Sequence, residues 1–179
     1  FQREERNSWR KKILEHSEAI VLRDPISEKY VRSIVPNKKV SSTLDSAFQH
    51  DVNTEQNQEK LNQYIDLKRF LEKHEKCVGV TITDLQWHPV YSKDPAIAKN
   101  VRDIFHEFFS SITKIGYGVV FIPQLYGNAN DYDLMCKFCC DTNDYFIVTA
   151  NDGRYDAYFQ QYLVGQLYAV IGMRYHSNI

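Results

Sequence analysis

The sequence has no excess of charge of either sign: 22 lysines and arginines stand against 23 aspartates and glutamates, a formal net charge of -1. That balance lacks the basic footprint of a dedicated nucleic-acid binder, so no nucleic-acid partner is expected. No apolar run approaches the roughly 20 residues that span a bilayer, so no transmembrane segment is expected either. There is no initiating Met and no charged n-region followed by an apolar h-region of a secretory signal. The chain starts at Phe1 and stops at Ile179, directly after a charged motif, and reads as a piece of something longer. What is present is globular: 43% hydrophobic, 13% aromatic and 25% charged residues exclude intrinsic disorder and collagen-like repeats. At 179 residues the chain holds one domain or one and a half.

Cysteine is scarce: Cys77 and the cluster Cys136, Cys139, Cys140. Tetrahedral zinc needs about four ligands, usually from two paired knuckles, and neither a second pair nor a nearby histidine completes this one. The cluster therefore reads as small hydrophobes on the buried face of a helix, in a chain suited to a reducing compartment. No metal is expected.

Hydrophobic periodicity divides the chain into alternating elements. Residues 1–17 carry Trp9, Ile13 and Leu14 as the anchors of an amphipathic helix. Ala19 to Leu22 is an all-apolar run that suits a strand buried on both faces. Asp24 before Pro25 opens a helix over 26–34 with Tyr30, Val31 and Ile34 inward. A weaker strand spans Lys39 to Leu44, and 49–58 is polar and without pattern. Helical periodicity returns from Asn57 to His74. The β-branched run 78–83 is a strand. Pro95 starts a long amphipathic helix through Ile97, Val101, Ile104, Phe108, Ile112 and Ile115, which Gly116 ends. Strand 119–122, helix 131–140, strand 145–148, helix 157–167 and strand 168–171 follow. Strands alternating with helices in this way predict an α/β fold with Rossmann-like parallel sheets. Residues 1–51 are then the end of one Rossmann-like domain, 52–76 a connecting helix or linker, and 77–179 a second Rossmann-like domain.

Open parallel sheets bind ligands outside the carboxyl ends of their strands, so the polar residues that follow each strand are the candidates. Arg23 and Asp24 follow the first strand and Asp45 the second. Asp84, Gln86 and His88 follow the third. Gln124, Tyr126 and Gly127 come after Ile122, and Thr149, Asn151 and Asp152 after Val148. The last strand leads into Arg174 and His176. An arginine grips carboxylate or phosphate with a fixed, bidentate charge, and a histidine holds a proton that titrates near neutrality. Together they suit a small anionic substrate that must also be protonated. Gly127 permits a tight turn, and Gln124 is placed to bind a ligand or to cap the following helix. His88 beside Trp87 is placed either to stack on a sugar or to sit half-buried at the surface. Asp131 and Asp133 read equally as acids of a helix N-terminus and as site residues. His16, His50, His74 and His106 have no partner that the sequence names.

The set Arg23-Asp24-x-x-Ser27, Asp45-x-Ala47-Phe48, Val78-Gly79-Val80, Pro123-Gln124-x-x-Gly127 and Gly172-Met173-Arg174-Tyr175-His176 resembles the polysaccharide pyruvyl transferases. The five motifs run in the family's order from about Ala19 to the end of the chain. Tyr175 stands where relatives carry an aliphatic residue. The resemblance implies a glycosyltransferase-B-like pair of Rossmann-like domains, of which this chain covers only part. It implies transfer of the enolpyruvyl-derived group of phosphoenolpyruvate to a sugar of a cell-surface glycan or its lipid-linked precursor. A pyruvate ketal forms, phosphate is released, and no cofactor is expected besides the donor substrate. Carried over by residue, Arg174 and His176 match the family's Arg-x-His element at the phosphoenolpyruvate end of the site, and Arg23 its Arg-Asp-x-x-Ser element. The chemistry of ketal formation then suits Arg174 and Arg23 as anion clamps, His176 as general acid, and Asp45 or Asp84 as base. Gln124, Gly127 and His88 are further substrate contacts. The need for cytosolic phosphoenolpyruvate favours the cytoplasm, with the membrane face where lipid-linked glycans are built as one site within it and the secretory pathway as the alternative. Two rival expectations share the residues: a nucleotide-sugar glycosyltransferase of the same architecture, and a non-catalytic binder of anionic sugars.

Overall fold

In the computed structural model the described residues are 4–45, 48, 51–83, 85, 94–125, 130–139, 143–149 and 156–173. The chain divides after His50 into two units, Phe1–His50 and Asp51–Ile179.

The first unit runs α1 (Glu4–His16), β1 (Ile20–Leu22), α2 (Pro25–Ile34), β2 (Val40–Ser42). β1 and β2 pair in parallel, Ile20 against Val40 and Leu22 against Ser42. Asp24 is the N-cap of α2, with Pro25 in its first turn. Its carboxylate accepts from Ser27 N at 2.7 Å and from the Ser27 hydroxyl at 2.7 Å, satisfying an orphan N–H of the first turn. The core is small: Ile20, Val31, Val35 and Val40 are buried, with Leu14, Leu22, Tyr30 and Ile34 packed on them. Two expectations change here. β1 is covered on one face only, since Val21 is 61% exposed, and of the α1 anchors Leu14 alone packs inward, Trp9 being 68% exposed.

The second unit holds α3 (Glu55–Gln63), α4 (Ile65–Lys73), β3 (Cys77–Thr81), α5 (Pro95–Lys114), β4 (Gly118–Phe121), α6 (Asp131–Cys136), β5 (Tyr145–Ile147), α7 (Ala157–Gly165) and β6 (Ala169–Gly172). Residues 52–76 were expected as a connection, and α4 within them contributes Tyr64-flanked core: Tyr64, Leu67 and Phe70 are buried in this unit. Tyr64 divides the periodic stretch into two helices. Its backbone leaves the helical region at ψ 69°, and its hydroxyl reaches Thr149, 2.9 Å from Oγ1 and accepting from the amide at 3.2 Å. Thr54 caps α3, so helix begins inside the segment expected to be patternless.

The four strands among the described residues are parallel, in the order β5-β4-β3-β6. Alternate residues face opposite sides of a strand, and the core divides accordingly. Val78, Val80, Val119 and Phe121 meet Phe109 and Ile112 of α5 and Leu134 and Met135 of α6. Val120, Ile122 and Val148 meet α4 and α7, through Phe70, Phe159 and Leu163. Phe109 lies edge-on to both Phe121 and Phe138, with ring centroids 5.2 and 5.6 Å away. Gly116, at φ 86°, follows the last turn of α5 in the left-handed conformation that suits glycine. The buried stripe of α5 is rotated from the expected one. Ala98, Phe109 and Ile112 are buried while Ile104 is 64% exposed. Cys136, expected on a buried face, is exposed at the end of α6, and Cys139 is half-buried.

Candidate functional site

Strand order locates the crevice of the second unit. β4 and β5 extend the sheet to one side of β3, whereas the chain returns by α7 to place β6 on the other. The order reverses between β3 and β6, and a doubly wound sheet opens its ligand crevice at the carboxyl ends of the strands at that point. Thr81 pairs with Gly172 there, and Met173 N donates to Thr81 O at 2.8 Å. The chain thus leaves β6 beside the end of β3. In sequence the next residues are Arg174 to His176 after β6 and Asp84 to His88 after β3. Arg174, His176, His88, Asp84 and Gly127 lie outside the described residues.

Thr81 is 1% exposed, and its hydroxyl has no hydrogen-bond partner among the described residues. A buried, unpaired hydroxyl is costly, and nothing in the sequence distinguished Thr81 from its β-branched neighbours. Gly79, two residues earlier, allows β6 to approach: a Cβ there would lie 2.5 Å from Leu167 Cδ1 and 3.2 Å from Val170 Cγ2.

Gln124 leaves β4, the next strand along. Its amide and that of Leu125 donate to Asp131 Oδ2 at 3.2 and 2.9 Å, and Asp131 N returns a bond to Leu125 O at 3.1 Å. Asp131 is 2% exposed. Of the two readings open for it, the structure gives it a carboxylate that folds the loop after β4 and so sets where Gln124 stands. Tyr64, through Thr149, fixes the end of β5 in a similar way, and Lys60 of α3 pairs with Asp156, the N-cap of α7. Burial opposes ionisation of Asp156, yet the Lys60 contact and the Phe159 N–H together hold its carboxyl below the usual range.

In the first unit, Arg23 follows β1 and Asp45 follows β2, and the parallel pairing brings them together. Arg23 NH1 donates to Asp45 Oδ2 at 2.5 Å. Asp45 is 9% exposed while Arg23 is half-exposed. The expected anion clamp and the expected base are therefore one ion pair. The Arg-Asp-x-x-Ser pattern has a local reason, because Asp24 and Ser27 secure the start of α2 and free Arg23 to turn towards Asp45. The Ser27 hydroxyl, then its amide, hold the Asp24 carboxyl below its ordinary range.

Of the other histidines, His74 was missed by sequence. It is buried, its Nδ1 3.0 Å from Phe70 O and its Nε2 3.2 Å from Asp144 Oδ1. These two contacts hold the ring in one orientation. The pair lies at the amino ends of the strands, away from the ligand-binding edge, with Asp144 O accepting from Val119 N. Burial pushes the Cys77 thiol up to about 11, leaving it protonated and inert at neutral pH. Among the described residues no group of three or more His, Cys, Asp or Glu is placed to hold a metal, and no helix is long and apolar enough to cross a membrane.

Parallel strands alternating with helices that cover both faces of the sheet define an α/β protein of the Rossmann-like kind. The chain belongs to the polysaccharide pyruvyl transferase family, whose model matches residues 3–179. No curated protein and no solved structure matches it. Membership makes it a transferase acting in pyruvyl transfer to polysaccharide.

Proposed function

We propose that the protein transfers the enolpyruvyl-derived group of phosphoenolpyruvate to a sugar of a polysaccharide or its lipid-linked precursor, in a two-domain, glycosyltransferase-B-like enzyme. The observation that carries the reading is the reversal of strand order between β3 and β6. It sets the ends of β3 and β6 side by side, Thr81 against Gly172, where a sheet of this kind opens its ligand crevice. This supports reading the residues that follow those two strands in sequence as parts of one site.

In this reading Arg174 and Arg23 bind the carboxylate and phosphate of the donor, for which guanidinium is the matched partner. His176 protonates the methylene carbon, the neighbouring carbon becomes cation-like, and a sugar hydroxyl attacks it. A second hydroxyl of the same sugar then displaces phosphate and closes the ketal. One hydroxyl proton balances the new methyl group and the other leaves with phosphate. Asp84 remains the candidate base. Asp45, already accepting from Arg23, serves better to aim that arginine, since a carboxylate engaged by a guanidinium has less affinity for a proton. Gln124, Gly127 and His88 are the proposed sugar-side contacts.

The test incubates the intact enzyme with phosphoenolpyruvate and a panel of acceptor glycans, following phosphate release and product mass together. Acceptor-dependent phosphate with a pyruvylated product supports the reading. Absence of turnover, with thermal protection by a nucleotide-sugar, would move the protein to the rival transferase chemistry.

A further inference from the structure

α5 is much longer than the strands it covers. Its 20 residues rise about 30 Å, whereas the five residues of β3 extend only about 17 Å. Phe109 and Ile112 pack on the sheet, so the amino-terminal half of α5 stands beyond the carboxyl ends of the strands. Between that overhang, the exit of β3 and α6 lies a cleft of about 300 Å³, counting space open to solvent. Its walls are mostly apolar, with Ile82, Val101, Phe105 and Leu134 among them; Thr83 is polar, and Arg102 is the one fixed charge among the described residues that line it. Arg102 is half-buried and has no hydrogen-bond or ion-pair partner among the described residues.

A guanidinium without a carboxylate partner among the described residues, held beside apolar side chains, suits a small anion that carries an apolar carbon beside its charge. A bare phosphate leaves Ile82, Val101 and Phe105 without an apolar partner, and a neutral sugar, though its hydroxyls accept hydrogen bonds, leaves the charge of Arg102 uncompensated. We propose that this cleft is a subsite for a carboxylate flanked by a methyl or methylene carbon, with Arg102 as the binding residue. That chemistry is shared by the enolpyruvyl group of the donor and by a pyruvate ketal already present on a glycan. The inference deepens the proposed function and rests on it for the choice between those two sources. The sequence hid Arg102 because it sits in the middle of a helix and follows no strand.

The experiment uses the intact enzyme and pyruvate, a three-carbon carboxylate without phosphate, with inorganic phosphate as the control anion. Pyruvate binding is measured by calorimetry, and KM is measured separately for phosphoenolpyruvate and for an already pyruvylated glycan. Arg102→Gln is expected to weaken pyruvate binding about tenfold or more, to leave phosphate binding unchanged, and to raise one KM with little change in kcat. A raised donor KM assigns the subsite to phosphoenolpyruvate; a raised glycan KM assigns it to the ketal. Ala98→Leu, which fills the cleft without touching the charge, is expected to lose pyruvate binding as well. Pyruvate affinity and both KM values unchanged in Arg102→Gln would overturn the subsite. Wild-type enzyme that binds pyruvate through Arg102 yet transfers nothing from phosphoenolpyruvate would overturn the proposed function and leave the subsite standing.

Discussion

One guanidinium nitrogen of Arg23 donates to Asp45, the side chain is half-exposed, and the proposed function has it bind the donor as well. Five N–H donors allow both. Aiming by Asp45 predicts that Asp45→Asn raises KM for phosphoenolpyruvate several-fold and leaves kcat within about threefold, read from steady-state kinetics. General-base work would instead remove about 10²- to 10⁴-fold of kcat, and that outcome would sink the positioning role. Carboxylates also set the response to acid. Asp144 is held below its ordinary range, first by the His74 hydrogen bond and then by Lys73. Asp24 and Asp156 are lowered as well. A folded-state pKa below the unfolded value gives stability that is present above the unfolded pKa, near 4, and lost as pH falls through the folded one. Denaturant titrations are therefore expected to show stability steady from pH 7 to about 5 and falling below about 4. In Asp144→Asn that fall is expected to be shallower; an unchanged slope would show that the His74 contact contributes nothing to it.

Elements were legible where side-chain chemistry acts locally. The β-branched run around Val78 and Val80, Asp24 before Pro25, and Gly116 after a long periodic helix each act through a neighbour or two in sequence, and each element stands within a residue or two of its expected place. Which stripe of α5 turns inward was not legible, because apolar residues lie on more than half of its circumference. The choice of Ala98, Phe105 and Phe109 over Ile104 and Ile115 is made by Phe121 and Phe138, which arrive from elsewhere. Tyr64 ends α3 for a similar long-range reason, its bond to Thr149. Close approach between elements gives a test. A Cβ on Gly118 would lie 2.9 Å from His74 Cγ and 2.9 Å from Phe70 Cε1, ring atoms that have no free end to swing aside. Gly118→Ala is expected to cost about 1–3 kcal/mol in equilibrium denaturation. Full stability in that variant would mean that α4 shifts on the sheet more freely than its buried Phe70 and Leu67 imply.

On the scale of the whole chain the parallel α/β class was open to sequence reasoning because alternation of strand and helix is itself a sequence pattern. Strand order was not, since no local signal says that β6 returns to lie beside β3, and the crevice depends on that return. The candidate site divides along the same line. Arg23, Asp45 and Gln124 were found because they follow strands, whereas Thr81, Asp131 and Arg102 needed the packed structure to gain a meaning. The two units also differ in how much apolar surface holds them. Among the described residues, four form the buried core of the first and ten form each of two clusters in the second. With each large buried side chain contributing about 1.5–3 kcal/mol against its exposed state, the second unit has the deeper reserve against local opening. Hydrogen exchange on the 179-residue chain is accordingly expected to find the amides of β3 and β4 protected at least about 100-fold more than those of β1 and β2. Equal protection would show that the first unit opens only together with the second, and that its four-residue core is not what limits it.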